Sequence, residues 1–287
     1  MDVELRHLRA LIAVDEERSF TDAAGELGVS QAAVSRQVAA LEHELGVPLL
    51  HRTTRRVEPT VAGEAFLVVA RRVVGELDRA VAGLRGEAAT IRVGYAWAAL
   101  GAHTTGVLRS WNRAHADARL RLVRVHRADL ALAEGRIDLA VVRGPLERSD
   151  LRSEVVGTER RVVALPVDHA LAFRPSVRLA DLTSETLGID PHNGTTRPSL
   201  WTDAGLPAPA TVETDDVESW LDLIAAAEVI GVTAEATAAH YPRPGVAFVP
   251  IADAPRVDVR LAWLRAHPHD AAGRLARAVR AAYDGDA

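Results

Sequence analysis

Apolar residues recur every three or four positions through the first 84 residues, then give way to short apolar runs separated by helical stretches. Leu5, Leu8 and Ile12 place one buried face on a helix over 4–17. Ser19 and Thr21 offer side-chain oxygens for a cap, and Phe20 is expected to plug the gap between this helix and the next. The second helix is expected over 21–27, the turn at Gly28-Val29-Ser30, and a third helix over 31–45, started by Ser30 and burying Val34, Val38, Leu41 and Leu45. Ala24 is small enough for two helices to cross closely. Gly28 supplies the turn, and Val34 anchors the third helix on the second above an underside of Leu27, Val29 and Val38. This spacing is that of a helix-turn-helix, whose second helix is shaped for the DNA major groove.

The opposite side of the third helix begins with Gln31, Ala32, Ser35 and Arg36. Planar or short hydrogen-bonding groups suit base edges, and an alanine suits a thymine methyl. Two short extended segments follow, around the basic tip His51-Arg52-Thr53-Thr54-Arg55-Arg56, which makes a wing. A charge run is ordinarily a solvated loop. Beside a recognition helix, Arg52, Arg55 and Arg56 with Thr53, Thr21 and Ser30 are expected to hold backbone phosphates or the minor groove.

Thr60 then starts a long amphipathic helix over 61–84, with Phe66, Ala70, Val73, Leu77, Val81 and Leu84 in a narrow seam and Arg71, Arg72, Glu76, Asp78, Arg79 and Arg85 on its other sides. A core helix of one globular domain is the plainer reading. A dimerising helix is favoured, because two helix-turn-helix units held at fixed spacing read an interrupted palindrome. Gly86 and residues 87–90 form a short hinge.

From Ile91 strands and helices alternate: strands at 91–95, 119–125 and 137–143, with helices over 100–115 and 128–136 between them. Residues 155–166 read as a long extended pair. A second alternating run covers 187–191, a helix near 196–205, 211–214, a helix near 216–227, 229–234 and 245–251. A late strand over 257–266 and a terminal helix over 270–283 suggest that the chain returns to the first sheet. Two α/β lobes with a cleft between them follow from this order. Ligands bind beyond the carboxyl ends of strands in such sheets, here 95–97, 125–127 and 142–144. That assigns Tyr95, Trp97, His126, Arg127 and Arg143 to the cleft from one side. The polar loop of Asp190, His192, Asn193, Thr195, Thr196 and Arg197 faces it from the other, with Thr195 or Thr196 expected to cap the helix that follows. Plain turn and capping chemistry is the competing reading of that loop, and Trp201 is read as core.

Composition narrows the picture. At 287 residues and 48% apolar the chain is large enough for two domains with sizeable cores. It has no cysteine, so there is no disulfide framework, thiolate nucleophile or thiol metal site. Its basic side chains other than histidine are all arginine, and the net charge of −5 argues against general coating of nucleic acid without excluding a local DNA-binding face. There is no signal peptide pattern and no apolar run of membrane-spanning length, so a cytoplasmic location is expected. Gly94 alone makes no phosphate loop, His267 and His269 lack a third spaced ligand, and Asp215-Asp216 and Glu16-Glu17 are adjacent pairs pointing apart. No metal site, cofactor or enzymatic activity is expected.

Residues 1–67 resemble the DNA-binding domain of LysR-type transcriptional regulators. The resemblance runs in register through LRHLRALIAV and SFTDAAGELGVSQAAVSRQVAALEHELGVPLLHRTTRRVEPTVAGEAFL, with Leu50 where phenylalanine is common. It implies a dimer and an effector domain that looks like a periplasmic binding protein. IRVGY, LAEGRIDLAVVR and VVALPVDHALA match that domain more loosely. Two departures matter. Tyr95-Ala96-Trp97-Ala98-Ala99 replaces the usual serine or threonine at the first cleft helix, and Ala226-Ala227-Glu228-Val229-Ile230-Gly231 stands in place of a small glycine-rich turn. The first adds Ala98 to the cleft, at the start of its first helix. It counts against a simple carboxylate effector and suggests a larger or flatter ligand, or a cleft partly filled by side chains; the second counts against an anion there.

The expected fold is therefore α+β and α/β: a winged helix-turn-helix over 1–60, a dimerisation helix over 61–86, and a two-lobed effector domain over 91–287 (lobe I about 91–160 and 255–287, lobe II about 161–254). The expected partners are double-stranded promoter DNA, a small-molecule effector and further copies in a homodimer or homotetramer, with RNA polymerase a further candidate and no membrane. Two alternatives stay open: a regulator with a degenerate cleft and no effector, and a solute-binding or enzymatic domain fused to a DNA-binding module.

Overall fold

The computed structural model describes residues 2–52, 57–144, 146 and 148–285. The chain divides into two compact units. The first is Met1–Thr90 with Ala116–Arg119 and Leu130–Ile137, and the second holds the remainder.

In the first unit, local chemistry sets each helix boundary. Helix α1 (Leu5–Glu17) opens on a capping box between Glu4 and His7. The Ser19 hydroxyl accepts the Asp22 N–H at 3.3 Å and starts α2 (Phe20–Leu27), which Gly28 ends at φ 65°, a left-handed conformation costly for any side chain. The Ser30 hydroxyl accepts the Ala33 N–H at 3.2 Å and starts α3 (Gln31–Leu45). Strands β1 (Leu50–Arg52) and β2 (Val57–Pro59) pair antiparallel, His51 opposite Glu58. Thr60 starts α4 (Val61–Arg85): its hydroxyl accepts the Gly63 N–H and donates to the Pro48 carbonyl, each at 2.9 Å. The close turn beneath needs Gly63, because a Cβ there would stand 1.9 Å from the Leu49 carbonyl oxygen.

Leu8, Leu11, Val14, Ala24, Val34, Val38, Leu41, Leu49, Leu67 and Ala70 close the core of this unit, with Phe20 and Phe66 packed at its margin. Three readings of the sequence change. Val29 is 42% exposed, because it follows the left-handed Gly28 and leaves the underside. Leu45 is only half-buried at the end of α3. Arg71, assigned to the polar side of α4, is 5% exposed and ion-paired with buried Asp15 on α1. The start of the α4 seam is absorbed into this core at Ala70, whereas Val73, Leu77 and Leu84 remain exposed.

The second unit contains two main sheets. The five-stranded sheet has the order β4-β3-β5-β12-β6: β3 (Ala89–Tyr95), β4 (Ala118–Arg124), β5 (Leu139–Arg143), β6 (Leu151–Glu159) and β12 (Val257–Leu264). Strands β3 and β5 run parallel, Val93 opposite Leu139. The late strand β12 inserts antiparallel between β5 and β6, so the chain does return to its first sheet. Helices α5 (Thr104–Ala114) and α10 (Ala272–Asp284) belong to this unit, whereas α6 (Ala128–Ala133) falls mostly in the first. Residues 100–115 are not one helix, because a 3-10 turn over Gly101–His103 precedes α5.

The second sheet has the order β10-β7-β11, with β7 (Arg161–Pro166) antiparallel to both β10 (Gly231–Ala234) and β11 (Val246–Pro250). Strands β8 (Thr186–Ile189) and β9 (Ala210–Glu213) form a parallel pair joined to it through Leu187 and Ile230. Helices α7 (Ser199–Thr202), α8 (Val217–Ala225) and α9 (Glu235–His240) complete this part. The extended stretch 155–166 is not a hairpin: β6 ends at Glu159 in one sheet and β7 starts at Arg161 in the other. The chain crosses between the sheets there and again between Pro250 and Val257. The helix expected near 196–205 is one turn, with Pro198 rather than a threonine at its start.

Candidate functional site

Two surfaces carry the chemistry, one in each unit. In the first unit, burial of Val34, Val38 and Leu41 turns the other side of α3 outward. Gln31, Ala32 and Arg36 are exposed there and Ser35 is half-buried. Thr21, at the start of α2, is also exposed. The Ser30 hydroxyl is engaged as a cap, which leaves its other lone pair and its proton for a phosphate. Arg52 closes β1, and Thr53, Arg55 and Arg56 lie outside the described residues.

In the second unit a strained turn follows β3. Ala98 and Ala99 have φ of 52° and 36°, and both are fully buried. Left-handed backbone costs a non-glycine residue about 1 kcal/mol or more, so tertiary packing holds this turn. Just before it, the Trp97 indole N–H donates to the Asn193 carbonyl at 3.2 Å. The Arg143 guanidinium stacks on the Trp97 ring, 4.6 Å from its centroid. Arg143 is committed elsewhere: its Nε and Nη2 each donate to a Glu159 carboxylate oxygen at 2.8 Å, with both side chains 3% exposed. The Tyr283 hydroxyl donates to the same carboxylate at 2.7 Å. Burial first, and the Glu159 charge second, push that phenol well above the ordinary range, so it stays a hydrogen-bond donor.

Trp97 also walls a cavity of about 440 Å³ measured out to its mouth. The loop residues Asp190, Gly194, Thr195 and Thr196 form one side, and Asp216, Val217 and Trp220 at the head of α8 form another. Ile189, Val232, Thr233 and Thr237 make the floor. Among the residues expected at a cleft, Trp97, Asp190, Thr195 and Thr196 line this cavity. Tyr95, Ala98, His126, Arg127 and Arg143 are not on its wall. The His126 and His192 rings meet edge to face at 6.3 Å, and Arg127 is paired with Asp129 at 2.8 Å. Neither threonine caps a helix. The Thr196 hydroxyl donates to the Val232 carbonyl at 2.5 Å, and Thr195 Oγ1 is buried without a hydrogen-bond partner.

Sequence reasoning passed over five contributors. Asp216 was legible only as a cap, which it is: Oδ1 accepts the Ser219 N–H at 2.8 Å and its hydroxyl at 2.9 Å. Those bonds, the backbone one foremost, hold the carboxyl below the usual range. Trp220, its N–H on the Gly188 carbonyl at 2.9 Å, carried no signal beyond an apolar helix face. Thr233 and Thr237 share a hydroxyl hydrogen bond of 2.8 Å across a strand end and a helix start. Arg161 braces the loop from behind, donating to the Thr195 carbonyl at 2.9 Å and the Pro255 carbonyl at 3.0 Å, and burial lowers its pKa.

Among the described residues no helix is long and apolar enough to cross a membrane, and no group of three side chains is placed to hold a metal.

Comparison with known proteins covers both units. Residues 5–64 match the family described as bacterial regulatory helix-turn-helix protein, lysR family, and residues 84–284 match the LysR substrate binding domain. The chain is 32% identical to the transcriptional regulator BenM of Acinetobacter baylyi, over 82% of this chain and 81% of that protein. It is 30% identical to the transcriptional regulator BudR of Raoultella terrigena, over 92% and 95%. Among solved structures, full-length CbnR complexed with its target DNA aligns with a TM-score of 0.71 at 27% identity, over 97% of this chain and 99% of that one.

Proposed function

The chain belongs to the LysR family of bacterial transcriptional regulators, and we propose that it binds a palindromic promoter site as a homodimer or a pair of dimers, under control of a small molecule in the cleft. The observation that carries the DNA-binding half is the exposure of Gln31, Ala32 and Arg36 at the capped N-terminal end of α3, whose other side is locked into the core. Gln31, Ser35 and Arg36 read base edges, and Ala32 meets a thymine methyl. Thr21, Ser30, Arg52, Thr53, Arg55 and Arg56 hold the backbone or minor groove. With a single arginine on the reading side of α3, most of the phosphate attraction falls to the wing.

The exposed Val73, Leu77 and Leu84 on α4 support pairing with a second copy, which sets the distance between two recognition helices. The cavity beside Trp97 supports the effector reading, and a ligand shifts operator binding only by its differential affinity for two arrangements of the protein. The relatives named above are transcriptional regulators. The reading here is of a cytoplasmic regulator without enzymatic activity.

Gel shifts on the DNA upstream of its own coding sequence test the assignment. Arg36→Ala is expected to weaken specific binding by about 1–3 kcal/mol and to relax preference at one base pair of each half-site. Binding with unchanged sequence preference would remove Arg36 from the readout.

A further inference from the structure

The wall of the cavity is aromatic and acidic. Asp190 and Asp216 are its charged side chains, and no arginine or histidine lines it among the described residues. A carboxylate entering there meets two carboxylates. It also finds the N-terminus of α8, where free N–H groups would otherwise attract an anion, already capped by Asp216. Two arginines stand behind the wall and neither lines it: Arg161 is turned onto the carbonyls of Thr195 and Pro255, and Arg143, stacked on Trp97, is neutralised by Glu159. Trp97 and Trp220 both have their N–H groups engaged by backbone carbonyls, so they offer ring surface. Polar recognition is left to hydroxyls. Thr195 Oγ1 is buried and unpartnered, and the Thr233–Thr237 pair shares one hydrogen bond between two hydroxyls, which leaves one proton to donate.

We propose that the cleft takes a planar ligand without negative charge, laid against Trp97 and Trp220 and hydrogen-bonded to the Thr195 hydroxyl. The inference rests on the reading of this cavity as an effector site and narrows it to a chemical class. The two indoles on the wall, rather than the open volume of the cleft, set the flat shape of the ligand. A neutral amide satisfies Thr195 as acceptor or donor, and a cationic amidine gains in addition from the two carboxylates and the indole faces.

The test uses the full-length protein and three probes of one shape: naphthalene-2-carboxylate, naphthalene-2-carboxamide and naphthalene-2-carboxamidine, each titrated calorimetrically near neutral pH. The amide and amidine are expected to bind at least about tenfold more tightly than the carboxylate, since like charge in a partly desolvated site costs at least that factor. Asp216→Asn retains an N-cap side chain and is expected to shrink the gap between carboxylate and amidine, while Thr195→Val weakens the amide. Carboxylate binding equal to or tighter than amide binding overturns the proposed class and leaves the effector reading standing. Failure of all three to bind at millimolar concentration, with operator DNA still shifted, overturns both. Because the comparison of probes is made in the unaltered protein, it stands whether or not either variant folds.

Discussion

The buried ion pair between Asp15 and Arg71 lends itself to a stringent test of how the first unit is held together. The two side chains are 8% and 4% exposed and lie 56 positions apart in the chain. Arg71 Nη1 also donates to the Glu134 carbonyl at 3.3 Å. Arg71→Met keeps most of the aliphatic stem and removes the charge, leaving the Asp15 carboxylate in a dry site. Removing one partner of a buried pair costs about 3–5 kcal/mol. Here Arg18 remains 3.0 Å from Asp15 Oδ1, but it is 56% exposed and not aligned for a hydrogen bond, so it offsets only part of the loss. The expected destabilisation is therefore near the lower bound, about 3 kcal/mol. Adding Asp15→Leu removes the stranded charge, and the double variant is expected within about 1 kcal/mol of the parent, a recovery of about 2 kcal/mol over Arg71→Met alone. Urea unfolding followed by circular dichroism reads both values from midpoints at constant slope. A loss below about 1 kcal/mol for Arg71→Met, or a double variant no more stable than the single one, would refute the argument.

Three other expectations follow from single contacts. Burial alone would raise the Asp138 pKa, but hydrogen bonds from Arg92 (backbone N–H at 2.7 Å, Nη2 at 3.0 Å) outweigh it and leave the group below its ordinary value. A carboxylate with a depressed folded pKa adds stability that is present above its unfolded pKa and is lost as pH falls through the folded one. Asp138→Asn should therefore remove about 1 kcal/mol near neutral pH and flatten the acid limb of a pH–stability curve below about pH 4, while an unchanged limb contradicts the assignment. In Gly231→Ala the new Cβ would stand 1.9 Å from Trp220 Cζ2, so the indole must move, at a cost of about 1–3 kcal/mol. A lower urea midpoint with an altered near-ultraviolet spectrum is expected, and wild-type values for both would mean that the ring is not confined. Leu77→Asp places a charge in the exposed α4 seam, where Leu77 is 41% exposed, so light scattering should show a smaller assembly while the stability of the single chain holds. Retention of the parent mass would take α4 out of the interface.

The helix-turn-helix could be read from the sequence because its determinants are local. Ser19, Ser30 and Thr60 each cap a helix through an N–H three residues on, and Gly28 ends α2 by a backbone conformation of its own. Such rules need only neighbours along the chain, and the 3.6-residue period then assigns Val34, Val38 and Leu41 to the core. Extended runs carry less information, since alternation does not say which sheet a strand joins. Residues 155–166 read as an extended pair, yet their two strands belong to different sheets that part at Arg160. In the cleft, local rules misassigned Thr195 and Thr196 as caps, because Pro198 begins the turn and β10 supplies the carbonyl that takes the Thr196 proton.

By itself the sequence determined most of the elements, the exposed side of α3 and the alternation that builds an α/β cleft, since each is decided by propensity, capping and period within a few residues. Only the tertiary structure decided which charges are buried together, as with Asp15 and Arg71 or Glu159 with Arg143 and Tyr283, and which side chains face the cavity. The physical reason is that desolvation and ion pairing depend on what stands within a few ångströms in space. Asp216 beside Trp220 and Thr195 becomes the wall of a cavity through packing between strands and helices that lie far apart in the chain.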